Sequence, residues 1–261
     1  MRPMNPATVV TGAASGIGRE LARCAARDGA VVVVVDRSQE GLAELATELG
    51  KAGAQAHQVL LDLVGEDAGG RLENALAEHG LFCDVLVNSA GFGVFGAATQ
   101  ADRQLQLELV DVNIRALTEL TLRFVPGMVA RKRGRILNVG SITGHVPGPN
   151  LAAYHASKAY VRSFTAALAA ELKGTGVTAT CLAPGIVVSP FFLRTGFNKT
   201  QLARLMPRST AREVATAGWR ALQDGKAVVM PGLWNRVIVA ACGLVPHALL
   251  LRLIANLQRP S

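Results

Sequence analysis

Cysteine and histidine are scarce in this sequence, and neither is spaced to hold a metal ion or to form a disulfide framework. The four cysteines are Cys24, Cys83, Cys181 and Cys242, and no two of them form a Cys-x-x-Cys pair. The five histidines include no pair at i, i+4, the spacing that sets two ligands on one helical face. No apolar signal segment precedes Ala7. We therefore expect no metal site, no structural disulfide and a cytoplasmic chain.

The sequence also lacks internal repeats, low-complexity segments and a clear interdomain linker. Its 261 residues suit one large α/β domain or two small ones, and a hydrophobic fraction of 50% is ample for a continuous core. A single domain over residues 1–261 is therefore predicted.

Runs of like charge are almost absent, although the formal net charge is +8. Such a charge would suit nucleic acid, anionic lipid or an acidic cofactor. The basic residues are scattered apart from a short cluster at residues 131–135, where a solvated turn is the simpler interpretation. No aromatic side chains interleave the cluster as a nucleic-acid platform requires. We expect no nucleic-acid partner.

A phenol, an amine and a hydroxyl are placed to share one proton. Tyr154 and Lys158 lie four residues apart in the alanine-rich segment 151–173, so one predicted helix presents both on the same face. A nearby ammonium favours the phenolate and would lower its pKa by roughly one to three units. Ser141 follows the predicted strand 135–139, whose end can bring its hydroxyl beside the phenol. The group suits reduction of a carbonyl or oxidation of an alcohol, although such pairs also occur by chance on helices.

A glycine-rich turn lies near the N-terminus. Residues 7–11 are a predicted strand that leads into the turn at 11–18 and then a predicted helix at 19–27. Glycines at such a turn let the backbone approach a pyrophosphate at the helix N-terminus. The turn alone is a weak signal.

An acidic residue follows the second predicted strand, the five valines at 31–35. Asp36 stands twenty-four positions after Gly12 and can accept hydrogen bonds from the adenosine ribose hydroxyls. Its charge would repel a 2′-phosphate, whereas the adjacent Arg37 would attract one. The residues favour NAD over NADP.

Strands and helices continue to alternate, which predicts a parallel sheet covered by helices on both faces. A helix at 39–51 precedes a strand at 55–61, after which Asp62 and Leu63 can reach the adenine. A helix at 66–79 precedes a strand at 84–87. Ligands of such sheets bind at the carboxyl ends of the strands, where these motifs fall.

Together the motifs resemble the short-chain dehydrogenase/reductase family over residues 7–189, and less firmly beyond. The family's Thr-Gly-x-x-x-Gly-x-Gly turn matches residues 11–18, its Tyr-x-x-x-Lys matches Tyr154 and Lys158, and its serine thirteen before the tyrosine matches Ser141. Further matches are Asn113, Pro184 and Gly185, and Ser189 supplies a hydroxyl where the family normally has Thr. Ser89 departs from the family's Asn-Asn-Ala-Gly, a mild variant. The resemblance implies a single-domain, Rossmann-type, doubly wound parallel sheet.

The resemblance also implies a mechanism, that of a short-chain alcohol dehydrogenase or carbonyl reductase. A hydride would pass between C4 of nicotinamide and a carbonyl carbon, with Tyr154 as general acid or base. Lys158 would hold the nicotinamide ribose, and Ser141 would orient the substrate oxygen or, alternatively, only cap its loop. Asn113 would carry a water-mediated proton relay, or instead satisfy backbone groups of a bent helix. A scaffold that binds the dinucleotide and regulates a partner without turnover is the alternative function.

The implied cofactor site is larger than the catalytic group. Asn88, Ala90 and Gly91 would pack against the cofactor, and Ile186 and Ser189 would touch the nicotinamide amide or serve as plain loop residues. The full set is Gly12, Ser15, Gly16, Ile17, Gly18, Asp36, Arg37, Asp62, Leu63, Asn88, Ala90, Gly91, Tyr154, Lys158, Pro184, Gly185, Ile186 and Ser189. Family resemblance further implies a homodimer or homotetramer.

Three apolar loops, 92–95, 145–147 and 191–206, should surround the pocket mouth. They indicate a hydrophobic alcohol or ketone, such as a steroid-like, lipid or aromatic compound, unless they fill the core or a dimer contact. We divide the domain into a cofactor and catalytic core at 5–189, a substrate lid at 190–210 and an apolar C-terminal extension at 233–261.

The C-terminal extension has no uncharged run long enough to span a membrane, since the longest is 237–245 and Pro246 follows it. It suits a membrane interface, with its basic residues toward anionic head groups, which would make the cytoplasmic protein membrane-associated. It equally suits closing the pocket or packing against the core or a partner subunit. Packing against the core or a partner subunit is the favoured interpretation.

Overall fold

The computed structural model describes residues 4–65, 67–189 and 200–258. Its strands are β1 (Asn5–Thr11), β2 (Val31–Asp36), β3 (Ala56–Leu60), β4 (Leu81–Asn88), β5 (Gly134–Val139), β6 (Val177–Leu182), β7 (Ile186–Val188), β8 (Arg208–Thr210) and β9 (Val228–Val229). Its α-helices are α1 (Gly16–Arg27), α2 (Gln39–Lys51), α3 (Ala68–Glu78), α4 (Arg103–Val110), α5 (Leu117–Ala130), α6 (Ala152–Glu171), α7 (Gln201–Leu205), α8 (Ala211–Gln223), α9 (Leu233–Leu244) and α10 (His247–Leu257). A π-helical turn (Asp111–Ala116) joins α4 to α5, and a 3-10 helix (Ile142–His145) follows β5.

The central sheet has seven strands in the order β3-β2-β1-β4-β5-β6-β9, and all neighbours pair in parallel. The inner strands β1, β2, β4, β5 and β6 are largely buried, as continuous apolar runs such as the valines of β2 require. One core cluster includes Leu72, Leu120 and Leu168 from α3, α5 and α6. The other includes Leu21 and Leu45 from α1 and α2, together with residues of α8. The predicted single-domain, doubly wound parallel sheet is confirmed.

The strand order reverses at β1, which pairs with β2 on one side and with β4 on the other. At such a switch point the connections leave the sheet on opposite faces, and a crevice opens beyond the carboxyl ends of the strands. The glycine turn after β1, Asp36 at the end of β2 and Ser141 after β5 therefore meet at one edge of the sheet.

The C-terminal extension forms two helices, since Pro246 interrupts the apolar segment between α9 and α10. In α9 the exposed residues include Leu233, Val237 and Leu244, while Asn235 is buried. Among residues 4–65, 67–189 and 200–258, no helix has both the length and the apolar character needed to cross a membrane.

Candidate active site

A cleft of about 420 Å³ lies at the carboxyl ends of the strands. Most of the residues predicted for the site line it. They are Gly12, Ser15, Gly16, Ile17, Gly18, Asp36, Arg37, Asp62, Leu63, Ala90, Gly91, Ser141, Tyr154, Lys158, Pro184, Gly185, Ile186 and Ser189. The fold thus brings the glycine turn and the proton-transfer group into one cavity.

The glycine turn forms a surface without side chains at the N-terminus of α1. Gly12 has a φ of +67°, and a Cβ there would lie 2.8 Å from the backbone of Ala90. A Cβ on Gly18 would collide with the carbonyl oxygen of Gly12. Only glycine therefore permits this turn, which closely packs the start of α1 against the end of β4. The cradle fits a pyrophosphate, because the free amides of the first helical turn attract anions.

Asp36 is held in place at the edge of the cleft. One carboxylate oxygen accepts a hydrogen bond from the Ala14 amide at 3.0 Å, and the other accepts one from the Ser38 amide at 3.0 Å. Each oxygen keeps a lone pair for a ribose hydroxyl. Arg37 is exposed beside it, and none of the ion pairs within the described ranges includes its guanidinium.

Lys158 is buried on the cleft-facing side of α6. Its side chain is 6% exposed, and Nζ donates a hydrogen bond to the carbonyl oxygen of Val139 at 2.9 Å. Burial lowers the pKa of Lys158 to about 8, while the nearby Cys181 acts in the opposite direction. Its remaining N–H groups can bind a ligand in the cleft.

Tyr154 lies one helical turn before Lys158, as predicted from the spacing, and Lys158 Nζ is 5.8 Å from the centre of its ring. Burial raises the pKa of the Tyr154 phenol to about 12, and hydrogen bonds with Ser141 and Thr143 oppose the rise. The predicted lowering of this pKa by Lys158 is therefore wrong for this structure. The cost of burying a phenolate exceeds the effect of an ammonium that is directed at Val139.

Ser141 has two roles at once. Its hydroxyl accepts a hydrogen bond from the Thr143 amide at 3.2 Å and caps the 3-10 helix, as the loop-capping interpretation expected. It also makes a long hydrogen bond of 3.4 Å to the carbonyl oxygen of Pro184. Since Ser141 also lines the cleft and hydrogen-bonds with the phenol of Tyr154, it stands where a substrate oxygen could reach both hydroxyls.

Asn113 lies behind the cleft wall, in the π-helical turn. Its Oδ1 accepts a hydrogen bond from the Phe92 amide, and its Nδ2 donates to the Phe92 carbonyl and to the Ser157 hydroxyl. A Cβ on Gly91 would lie 2.8 Å from Asn113 Oδ1 and 3.6 Å from Lys158 Nζ. The Asn113 amide therefore fixes the backbone at the end of β4 close to Lys158, in line with the interpretation that it satisfies backbone groups.

Asn88 also lies behind the wall and does not face the cleft. Its amide donates hydrogen bonds to Thr121 and to Asn138, and Asn138 donates to Thr165. All four side chains are buried. This network orders the ends of β4 and β5, so the Asn88 side chain supports the site from beneath, and its packing against a cofactor stays a prediction.

Sequence reasoning missed the part of the wall that α9 and α10 provide. Ile238, Val239 and Cys242 of α9 line the cleft, and so do Ile254 of α10 and Gln258 after it. The signal was present, because Ile238 and Cys242 are four residues apart, as are Ile254 and Gln258, and each pair shares a helical face. The pocket-closing interpretation describes this inner face of the extension.

The predicted lid lies only in part within the described residues. Residues 190–199, which include Phe191, Phe192 and Leu193, fall outside them. Leu202 and Met206 line the cleft. Of the other apolar loops, Phe92 and Val146 also line it.

Across the described ranges there is no group of three or more His, Cys, Asp and Glu residues that could hold a metal ion. All four cysteines are free.

Comparison with known proteins finds a family model described as short chain dehydrogenase, which matches residues 6–197. A short chain dehydrogenase of Pseudocercospora fijiensis is 35% identical over 183 residues, which make up 69% of this chain and 59% of that protein. The chain therefore spans less than two thirds of that relative's length. Sulfoacetaldehyde reductase 2 of Chromohalobacter salexigens is 36% identical over 199 residues, or 74% of this chain and 77% of that protein.

Among solved structures, a short-chain dehydrogenase from Sphingobium yanoikuyae in complex with NADPH is similar to this chain with a TM-score of 0.79. The two are 28% identical, and the similarity covers 92% of this chain and 94% of that one.

Proposed function

Because the chain belongs to the short chain dehydrogenase family and is an oxidoreductase, we propose that it transfers a hydride between a nicotinamide dinucleotide and an alcohol or ketone. The observation that carries the proposal is that Tyr154, Ser141 and Lys158 line the same cleft as the glycine turn. A dinucleotide with its pyrophosphate on the turn would extend across the switch point toward the phenol. Bound there, it would supply the hydride donor or acceptor at C4 of its nicotinamide.

The protein side chains would move the proton and hold the substrate. Ser141 orients the substrate oxygen by a hydrogen bond, and Tyr154 gives that oxygen its proton or takes it away. With a pKa of about 12 the phenol holds its proton at neutral pH, which suits donation to a developing alkoxide during carbonyl reduction. Lys158 donates one hydrogen bond to Val139, and its other N–H groups can bind the nicotinamide ribose. The water relay through Asn113 stays a prediction.

A substitution at Tyr154 separates this function from that of a regulatory scaffold. Tyr154→Phe removes the proton donor and should lower kcat by about 100-fold or more, while dinucleotide binding is kept. The chain contains one matched control, Tyr160, which lies on the same helix and hydrogen-bonds Thr118 at 2.8 Å. Tyr160→Phe should keep its turnover. Binding of the cofactor by wild type with no turnover of any alcohol or ketone would support the scaffold instead.

For the cofactor we propose NAD. The carboxylate of Asp36 is fixed at the end of β2, where it can bind the ribose hydroxyls and repel a 2′-phosphate. The exposed guanidinium of Arg37 and the NADPH in the related structure from Sphingobium yanoikuyae favour NADP. Binding of NADH and NADPH to the purified protein decides between them, and a tenfold preference for NADPH would overturn the proposal.

For the substrate we propose an apolar alcohol or ketone. The cleft walls contributed by the C-terminal helices and by α7 are mainly aliphatic. They include Leu202, Met206, Ile238, Val239 and Ile254. A screen of alcohols and ketones, followed by nicotinamide absorbance with both cofactors, tests the reaction, its direction and the cofactor together. Preference for small polar ketones over apolar ones would contradict this part of the proposal.

We further propose that the outer face of α9 and α10 contacts an anionic membrane surface. Residues 190–261 contain ten Lys and Arg residues against two Asp and Glu residues, so they carry the whole net charge of +8. The same helices expose Leu233, Trp234, Val237, Leu244 and Leu253, with Leu244 87% and Trp234 68% exposed. The two helices themselves contribute Arg236 and Arg252. Exposed apolar side chains on a basic segment suit insertion at the level of anionic head groups.

Vesicle flotation of the full chain tests this contact. Wild type should float with anionic vesicles and less with neutral ones, and the double variant Trp234→Glu, Leu244→Glu should remain at the bottom. Leu60→Glu, at an exposed leucine on β3, is the matched control and should float like wild type. A concentration-dependent dimer that the double variant abolishes, without flotation of wild type, would assign this face to a second copy. Homodimer or homotetramer formation is otherwise a prediction from the family.

A further inference from the structure

Gln258 is a polar side chain placed in an apolar wall. It follows Leu250 and Ile254 along the inner side of α10, at intervals of four residues. The side chain lines the cleft and is fully buried, with 0% of its surface exposed. Within the described part of the chain, neither Nε2 nor Oε1 has a hydrogen-bond partner.

A buried amide with no partner destabilises a folded protein, because both its donors and its acceptor lose water without replacement. A leucine at this position would continue the apolar row of α10 at no such cost. Buried polar groups that stay unpaired in a native structure are few, and a role in binding is one of their explanations. The nearby wall residues Leu202, Ile238 and Ile254 offer no side-chain partner.

Gln258 lies on the side of the cleft that suits the substrate and not on the side that suits the pyrophosphate and adenosine of a dinucleotide. Helix α10 packs against α7, and α9 packs against the 3-10 helix that follows Ser141. These helices therefore enclose the cleft on the side of Ser141. The residues suited to the pyrophosphate and the adenosine ribose, such as Gly12 and Asp36, follow β1 and β2 instead.

We infer that Gln258 is a specificity-determining residue that hydrogen-bonds a second polar group of the substrate, separate from the oxygen bound by Tyr154 and Ser141. The inference rests on the proposed function and narrows its substrate class. An amide offers both a donor and an acceptor, so its best match is a hydroxyl, which can accept from Nε2 and donate to Oε1. A carboxylate can only accept hydrogen bonds, so it could bind Nε2 but would be repelled by the amide oxygen Oε1. The substrate class is an apolar ketone or alcohol that carries a second polar group, a hydroxyl.

The test compares arylalkyl methyl ketones of graded length, each with and without a hydroxyl on the far side of the ring. For the length that fits the cleft, wild type should prefer the hydroxylated compound by about tenfold or more in kcat/KM. Gln258→Leu should lose that preference, mainly through a higher KM for the hydroxylated compound. Asn256→Leu, at an exposed position of the same helix, is the matched control and should keep it.

Thermal unfolding distinguishes recognition from a structural role. Removing an unpaired amide should leave the Tm of Gln258→Leu unchanged or higher than that of wild type. A lower Tm with an intact preference for the hydroxylated ketone would overturn the inference. Gln258→Met, which keeps the length of the side chain, provides the same measurements if the leucine variant does not fold.

Calorimetry can measure binding of the same ketone pairs in the presence of NADH and of NADPH. This tests the role of Gln258 without depending on turnover. Absence of turnover for every ketone and alcohol would overturn the proposed function. Tighter binding of hydroxylated ketones to wild type but not to Gln258→Leu would still support the role of Gln258. Equal binding of both members of every pair by wild type would overturn it.

Discussion

Burial of Lys158 should make the stability of the protein depend on pH in an unusual direction. The pKa of Lys158 is lowered from 10.5 to about 8 by burial. Between these two values the unfolded chain binds a proton at this side chain that the folded chain does not. The free energy of unfolding therefore gains a contribution that rises with pH. Its origin is a penalty for burying the ammonium, which is fully present below pH 8 and is lost by pH 10.5.

The magnitude follows from the two pKa values. Each pH unit of difference corresponds to about 1.4 kcal/mol, so the full penalty is about 3 kcal/mol. About 2 kcal/mol of it should disappear between pH 7 and pH 9.5. Two neighbours act in the opposite direction, because burial raises the pKa of Cys181 to about 11 and that of Tyr154 to about 12. In the folded protein both groups keep protons that they lose in the unfolded chain. Each therefore reduces stability once the pH rises above the pKa that the group has in the unfolded chain.

Comparison with Lys158→Met isolates the lysine from these neighbours. Urea unfolding of both proteins at intervals from pH 7 to pH 9.5 gives the difference in free energy, and wild type should gain about 2 kcal/mol relative to the variant. Lys173→Met, at an exposed position near the end of the same segment, is the control and should give a constant difference. If the difference for Lys158→Met stays constant within about 0.5 kcal/mol as well, the lysine is not buried with a lowered pKa and the reasoning fails.

Three further predictions concern the glycine turn, the buried network and the cofactor. Gly12→Ala forces an alanine into a positive φ and against the backbone of Ala90 after β4, so urea unfolding should show a loss of about 2–5 kcal/mol together with loss of dinucleotide binding. In the control Gly50→Ala, where a Cβ meets nothing within 4 Å, stability should rise by about 0.5–1 kcal/mol. Asn138→Ala removes one hydrogen bond from each of two buried partners, Asn88 and Thr165, and should cost about 2–4 kcal/mol in the same assay. A loss no larger than that of an exposed substitution would contradict the network. Asp36→Asn should shift the ratio of NADPH to NADH affinity by roughly tenfold or more toward NADPH. Adding Arg37→Ala to this variant should reverse the shift. Titration by nicotinamide fluorescence measures both affinities.

The sequence predicted the sheet well because its strands are unusually uniform. A strand buried on both faces needs apolar side chains at every position, and the five valines of β2 satisfy this requirement without any knowledge of their neighbours. The predicted helix at 39–51 has the bounds of α2 because Ser38 caps it and accepts a hydrogen bond from the Gly41 amide. The bounds at 66–79 were less accurate, since Asp67 stands outside α3 and caps it.

The spacing of Tyr154 and Lys158 fixed their common face but not their protonation. Helical geometry places two side chains one turn apart whatever surrounds them. The pKa depends on how much water remains around each group. That depends on the elements packed around the cleft, and two of them, α9 and α10, come from a distant part of the sequence. Asn88 does not line the cleft whereas the adjacent Ser89 does, because adjacent residues at a strand end point to opposite faces.

The C-terminal extension shows why composition alone left three interpretations open. A helix that is apolar on every side can face a core, a partner or a lipid, and its sequence does not say which. In α9, Ile238 and Cys242 face the cleft while Leu233 and Leu244 face outward. The extension therefore serves the pocket and presents a second apolar surface at the same time, so two of the interpretations are compatible.

The cleft also contains two buried polar side chains that weaken the fold. Lys158 is a buried ammonium with one described acceptor, and Gln258 is a buried amide with none in the described chain. Each could be replaced by an apolar residue of similar length with a gain in stability at neutral pH. Proteins keep such groups where binding or chemistry requires them, and elsewhere local structure and packing agree. Because Lys158 and Gln258 line one cavity, the physical argument that makes the lysine functional applies equally to the glutamine, although only the lysine belongs to a recognisable motif.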